Sequence, residues 1–535
     1  MVYGIYKNND LPLGESQMAR YKKYDYNQLM FVPVSLEEQL IPGTLEYAIH
    51  HVVEERLDLS FFEERYCNDE TGRKAIDPKV LIKIVLFGYS RGLISSRTLE
   101  RACKENITFM ALSCGQQPDH STLAAFVSSL DKQVEELFTK VLLVCEEEGL
   151  LGGTHFSLDG LKISSNASKE WSGKFEDLKK KQETLERKVK EAVLEHRALD
   201  KKERGKSSTD RERREKRIKR LKQKADRIEE FLSENKPKIG SRGKEIQSNV
   251  TDNESAKMAT SHGVVQGYNA NALVDEKHQV VVHAEAFGKG EDASNMEPML
   301  AGTKNKLQAI GKKEPLKDKQ VSADTGYYSV TNLESCESHE VDAYVPDPQF
   351  RKRDVRFKDA DRHRRSVDKR HKKYKSKKRW FSVDDFHFDN RTGKLICPAG
   401  EALYRNGKNF QTKDGYIATS YRAPKRACTG CNLRLKCLRS PEGTTRQVRI
   451  FHGRIPGSIT DKMKQKIDTP EGRRVYSKRL GIVEPVFGNI RSCKRMDKFT
   501  LRSKIKVNIQ WLLYCLVHNI EKIGNYGRSY SVQGV

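Results

Sequence analysis

Three acidic residues stand where they could do chemistry: Asp159 in "FSLDGLKISSNAS", Asp324 in "VSADTGYYS" and Glu484 in "YSKRLGIVEPVFGNIR". Asp159 and Asp324 each end a short apolar run of strand type. Glu484 follows a short apolar step and reads as opening a helix that packs across those strands, with Tyr476, Arg479 and Arg491 at near-helical spacing. Carboxylates converging at one sheet edge can hold two Mg²⁺ ions, which keep water or phosphate oxygens as further ligands. Such a pair activates an attacking water or hydroxyl and stabilises the leaving oxygen of a phosphodiester. Asp324 has a more ordinary role open to it, the cap of the next helix. Spacing alone does not separate three catalytic acids from three surface acids.

The charge balance narrows the partner. Lys and Arg number 99 against 73 Asp and Glu, a formal net charge of +26 over 535 residues with a pI near 9.4. An excess of that size points to a polyanion, nucleic acid first. Much of it is concentrated between Arg351 and Arg379, where sixteen Lys or Arg face four Asp. Dense, irregular charge of this kind suits phosphate contacts and makes Arg364, Arg365, Lys369 and Arg370 candidate DNA contacts. Trp380, beside the run, could stack on an unpaired base or anchor the segment to the fold.

Cys428 and Cys431 form a C-x₂-C bite, and Cys397 and Cys437 could complete a four-thiolate zinc site. The alternative is four free thiols in a loop-rich insertion, and zinc is preferred because the segment looks too poor in apolar residues for a core. Eleven cysteines in a chain of this length do not make a disulfide scaffold, so a reducing, intracellular (cytoplasmic) setting is expected. "MVYGIYKNND" has no apolar signal region, and "WLLYCLVHNI" is about half the length of a membrane span.

The elements that must position these residues follow from periodicity. A chain this long exceeds one core, and several domains are expected. Residues 1–150 read as a helical domain, with Ser121 as the N-cap of a helix bearing Leu123, Phe126 and Leu130. Residues 151–345 alternate strands and helices in a mixed α/β sheet flanked by helices. Within them 175–234 form an antiparallel helical hairpin, its seam marked by Ile218, Leu221, Ala225, Ile228 and Leu232. A basic and Cys-rich insertion spans 346–465. Residues 466–535 end in a helix with Ile509, Leu512, Leu516 and Ile520 on one apolar face.

"LDGLKISSNAS", "VSADTGYYS" and "YSKRLGIVEPVFGNIR" resemble the three signature blocks of bacterial insertion-sequence transposases of the DDE class. "PDHSTLAAF" is similar to part of their N-terminal domain. The resemblance implies an RNase H-like catalytic domain and an N-terminal helical DNA-binding domain; the helical hairpin and the Cys-rich segment, read above as zinc-ribbon-like, would be insertions in the catalytic fold. It makes Asp159, Asp324 and Glu484 the catalytic, Mg²⁺-binding (or Mn²⁺-binding) acids, which takes Asp324 as a metal ligand rather than a cap. Tyr476, Arg479 and Arg491 match a Tyr-Arg-Glu-Lys signature whose basic members touch DNA phosphate. Two departures stand out: the Arg479–Glu484 interval is one residue longer than the commonest form, and Arg491 replaces the usual Lys.

By this resemblance the chain binds its element's terminal inverted repeats, cuts there, and joins the 3′-OH ends to target DNA, as a homodimer on DNA in the nucleoid. Two rivals stay open. One is a DNA-binding repressor or architectural factor derived from a transposase; the other is a hydrolytic nuclease without strand transfer.

Overall fold

The computed structural model describes residues 35–65, 75–202, 208–240, 243–260, 263–357, 380–389, 392–412, 416–438 and 445–530. The core of most of the basic run, including Arg364, Arg365, Lys369 and Arg370, lies outside the described residues.

The main sheet is built from β1 (His155–Ser164), β2 (Ala256–Thr260), β3 (Gly263–Asp275), β4 (Val281–Phe287), β5 (Gln320–Ala323) and β6 (Asp342–Tyr344). Its order is β2-β3-β1-β5-β6, with β4 also pairing β3 beyond β2. β3 runs antiparallel to β1, and β4 antiparallel to β3, whereas β5 and β6 run parallel to β1. The hairpin of β3 and β4 turns through Glu276–Gln279, as the polar "DEKHQ" between two apolar runs predicts. β2 carries no clear apolar alternation and is absent from the reading of the sequence.

β1 departs from expectation in a way that matters for the site. The strand does not stop at Asp159 but continues through Gly160 to Ser164, paired throughout with β3. Asp-Gly is ordinarily a turn dipeptide. Here the glycine is in the strand because the side chains of the neighbouring strand occupy its space. A Cβ on Gly160 would lie 2.5 Å from Asn271 Nδ2 and 2.6 Å from Asn269 Oδ1.

Helices α1 (Leu45–His51), α2 (Pro78–Ser90), α3 (Ser96–Glu105), α4 (Ile107–Leu112), α5 (His120–Ser128) and α6 (Asp131–Glu147) make the N-terminal layer. The cap of α5 is Asp119, which accepts from the Thr122 amide; Ser121 lies inside the helix. Then come the hairpin helices α7 (Phe175–Lys202) and α8 (Ser208–Glu234). Their apolar seam near the base is Leu178, Ala225, Ile228 and Phe231, with Leu185 and Leu232 packed beside it. α9 (Met296–Ala309), α10 (Val330–Ser338), α11 (Ile459–Asp468), α12 (Pro470–Gly488) and α13 (Lys504–Tyr526) complete the main body.

α13 is not amphipathic as its sequence suggests. Every residue from Ile509 to Ile520 is buried, because the helix lies between β4 on one side and α1, α2 and α6 on the other. A helix buried all round belongs to the centre of a large core. One continuous apolar core accordingly joins the N-terminal helices, the main sheet and α13.

The cost of that burial is visible in two histidines. His518 sits inside α13, its Nε2 bonded to the Gln279 carbonyl at 2.9 Å and Nδ1 3.1 Å from Asn489 Nδ2. Burial pushes its imidazole down to about 4, and that of His283 to about 3. Both are neutral in the fold but titrate near 6.5 when unfolded, so their contribution is complete above pH 6.5 and is lost as pH falls toward 4. Stability is expected to fall by up to roughly 3 kcal/mol per histidine across that window. Thermal unfolding as a function of pH checks this: His518→Gln should flatten the curve between pH 6.5 and 4.5, and an unchanged slope would assign the loss elsewhere.

The Cys-rich segment has more structure than its sequence suggests. β7 (His387–Asp389), β8 (Lys394–Ile396), β9 (Ala402–Gln411), β10 (Tyr416–Arg422) and β11 (Gln447–Arg454) form an antiparallel sheet in sequence order. It has its own small core of Phe386, Leu395, Leu403, Tyr421, Ala423 and Val448. The expectation that this segment lacks a core is corrected: its apolar residues are sparse but fall on one face of successive strands. Among the described residues, no helix is long and apolar enough to cross a membrane.

Candidate active site

Register alone brings two of the acids together. β1 and β5 run parallel, with Leu158 opposite Ala323, so the next residues, Asp159 and Asp324, emerge side by side. Beneath them the two strands are tied by a buried polar chain. His155 Nε2 lies 3.0 Å from Ser322 Oγ, and Ser157 Oγ 2.7 Å from the same oxygen. His155 Nδ1 is 3.1 Å from Glu276, which also accepts from Lys478 of α12 at 2.7 Å. This chain fixes α12 against the strand pair.

The next residue of α12, Arg479, donates through Nη1 to Asp159 Oδ2 at 2.8 Å. Asp159 Oδ1 accepts from the Gly160 amide at 2.8 Å. Burial raises the Asp159 carboxyl above its ordinary range, against the opposing pull of Arg479. Arg479 is only 7% exposed. The expectation of an open phosphate contact at Arg479 meets a different arrangement, a buried ion pair with the first acid. Tyr476, half-buried, packs edge-on against Phe350 at 5.2 Å, with the Arg479 guanidinium 5.9 Å from its ring centre.

Asp324 does act as a cap: its Oδ1 accepts from the Gly326 amide at 2.5 Å in the turn after β5. Capping and metal binding are therefore not alternatives, since one oxygen serves the turn and the other stays available. Asp159, Lys162, Asp292, Asp324, Arg491 and Asp497 line one solvent-open cleft. Arg491, exposed at this cleft, is well placed for a phosphate.

Glu484 is placed differently. It does not open its helix, which starts at Pro470 behind a Thr469 cap, but lies near its end, just before Pro485. Five residues after Arg479 it falls about 140° round the helix and is exposed, without a hydrogen-bond or ion-pair partner among the described residues. It is not among the residues lining the cleft. The helix then passes into a π-helical turn, Asn489–Cys493, which carries Arg491.

Of the described end of the basic run, Arg353 pairs with Asp347 at 2.6 Å and Asp468 at 2.7 Å, and Arg356 with Asp354 at 2.8 Å. These cations hold the fold together. Trp380 is half-buried at the second sheet, next to Phe381, whose amide donates to the Lys436 carbonyl. Cys397, Cys428, Cys431 and Cys437, all half-buried free thiols, line one small cavity. The Cys437 thiol is raised by burial first and then by its three sulfur neighbours, against the pull of Arg446. Among the described residues, however, no group of three or more His, Cys, Asp or Glu is arranged to hold a metal ion.

Two family models match the chain: a Transposase DDE domain over residues 396–524 and a Transposase domain (DUF772) over residues 34–129. Together these matches indicate an insertion-sequence transposase of the DDE type. No curated protein matches it. The first match takes in Tyr476, Arg479, Glu484, Arg491 and the four cysteines of this transposase, and neither match reaches Asp159 or Asp324. Asp292 was not legible in the sequence: in "GEDASN" it reads as one more acid of a turn before a helix.

Proposed function

We propose that this transposase binds the terminal inverted repeats of its insertion sequence, cleaves DNA at the element ends and joins the 3′-OH ends to target DNA. The observation that carries this reading is the pairing of Asp159 with Asp324 across β1 and β5, at a cleft edged by Lys162 and Arg491. The order of the main sheet, three antiparallel strands followed by two parallel ones, supports an RNase H-like catalytic fold.

The donor set fits hard divalent cations: the carboxylates of Asp159 and Asp324 face a wet cleft with no cysteine or histidine among the described residues that line it. Asp159 and Asp324 would hold Mg²⁺ or Mn²⁺; Glu484, which lies outside the cleft in this structure, is the third acid on the signature match alone. Bound there, two such ions would activate the attacking water or 3′-hydroxyl and stabilise the leaving oxygen. The chain's own residues do the remaining work. Arg491 draws the phosphodiester into the cleft, and Arg479 pulls against the burial of Asp159 and holds its carboxylate oriented. Arg364, Arg365, Lys369, Arg370 and Trp380 extend the contact along the DNA, and a homodimer holds the two ends.

The rival reading, a DNA-binding repressor or architectural factor derived from a transposase, draws on the Asp159–Arg479 ion pair, which engages one acid. A duplex made from the DNA flanking the gene separates the two. Cleavage at the element ends in Mg²⁺, abolished by EDTA, is expected; tight binding without cleavage would favour the rival.

Structural zinc at Cys397, Cys428, Cys431 and Cys437 is the finer part of the proposal, supported by their convergence on one cavity. Freshly purified protein should then carry about one zinc per chain. Serine at any of the four should lower that content; metal analysis finding none would leave four free thiols beside a small apolar core.

A further inference from the structure

We propose that Asp292 is a further acid of the catalytic centre, holding the same divalent cation as Asp324. The inference rests on the metal-dependent reading of the cleft and adds a ligand that no signature motif contains.

Asp292 lies in the loop between β4 and α9, remote in sequence from the three motif acids, yet it lines the cleft with Asp159 and Asp324. Gly326 measures how close the acids come. A Cβ at Gly326 would sit 2.8 Å from Asp324 Oδ1 and 3.0 Å from Asp292 Oδ2. Asp324 Oδ1 is there because it caps the Gly326 amide, and Asp292 Oδ2 approaches the same glycine, so the two carboxylates lie close together at one edge of the cleft. Two carboxylates this close repel each other unless a cation is shared.

Asn269 supplies an independent pointer. It is wholly buried on β3, and its Nδ2 donates to Asp292 Oδ1 at 2.6 Å. That bond fixes the carboxylate and leaves Oδ2 turned toward Asp324. The amide oxygen of Asn269 is itself buried without a partner among the described residues and lies against Gly160, which also lines the cleft. A buried carbonyl oxygen left unpaired is costly unless something completes it. Water on a cation held by Asp292 and Asp324 supplies such a donor. Lys162 is the nearby cation that partly offsets Asp292 in the fold as it stands. It is half-buried at the edge of the same cleft.

The test is Mn²⁺ binding to the full chain without DNA, read from the loss of the free-ion electron paramagnetic resonance signal. Asp292→Asn should weaken binding tenfold or more, as Asp324→Asn should. Asp292→Ser, which keeps an acceptor for Asn269, should do the same if the first variant folds poorly; circular dichroism reports folding of each. Wild-type affinity in a folded Asp292 variant, with affinity lost in Asp324→Asn, would overturn the role of Asp292 and leave the metal reading standing. No Mn²⁺ binding by the wild-type chain would remove the metal reading and this proposal with it.

Discussion

Asp324→Asn is expected to bind element-end DNA with near wild-type affinity and to cleave it at less than about one-thousandth of the wild-type rate. The fold predicts this separation. Asn keeps the acceptor oxygen that caps Gly326, so the turn after β5 survives, while the charge that would hold a cation is gone. Glu484→Gln should behave similarly, and with less structural consequence, because Glu484 is exposed and unpaired among the described residues. Asp159→Asn should also abolish cleavage but carries a second effect. It leaves the buried Arg479 facing a neutral amide, at a cost of about 1–3 kcal/mol in stability. End-labelled duplex cleavage in Mg²⁺, alongside a binding titration, checks all three. Near-normal cleavage by any one variant would remove that residue from the catalytic set.

Trp511→Ala should be among the most destabilising single changes in the chain, costing about 3–5 kcal/mol. Trp511 is fully buried in α13 and stacks on Phe487 of α12 at 6.4 Å. Its Nε1 donates to the Asn271 carbonyl at 3.0 Å, on the strand whose side chains fill the space at Gly160. Truncation thus opens a cavity where α12, α13 and β3 meet, directly behind the acids. Denaturant unfolding should show the loss, and cleavage should fall further than the folded fraction does. A loss under about 1 kcal/mol would mean that α13 is not the central support described above.

Much of this architecture was legible in the sequence because its signals are local. The turn "DEKHQ" between apolar runs, the apolar seam of α8 and the strand before Asp324 depend on neighbours a few residues away. What was hidden depends on residues far apart. The continuation of β1 through Asp-Gly requires Asn269 and Asn271 from another strand. The burial of α13 on every side requires the N-terminal helices to pack over it. The ion pair of Arg479 with Asp159 joins residues more than three hundred positions apart, and the spacing of a signature motif says nothing about which acid the arginine meets. Glu484 shows the same limit from the other side. Its distance from Arg479 in sequence looks helical, yet five residues on a helix turn it away. The second sheet was missed because its apolar residues are too few to register along the chain, although they share one face once the strands pair.

The central claim is that this chain joins DNA ends, and one measurement addresses it most directly. Purified wild-type protein would be incubated in Mg²⁺ with a duplex ending in the element's terminal repeat, its 3′-hydroxyl exposed, and a supercoiled circular target. The account predicts covalently joined products, in which the labelled 3′ end appears in relaxed or linearised target, absent with EDTA and absent with Asp324→Asn. Stable binding of the duplex with no joined product, in either Mg²⁺ or Mn²⁺, would contradict it.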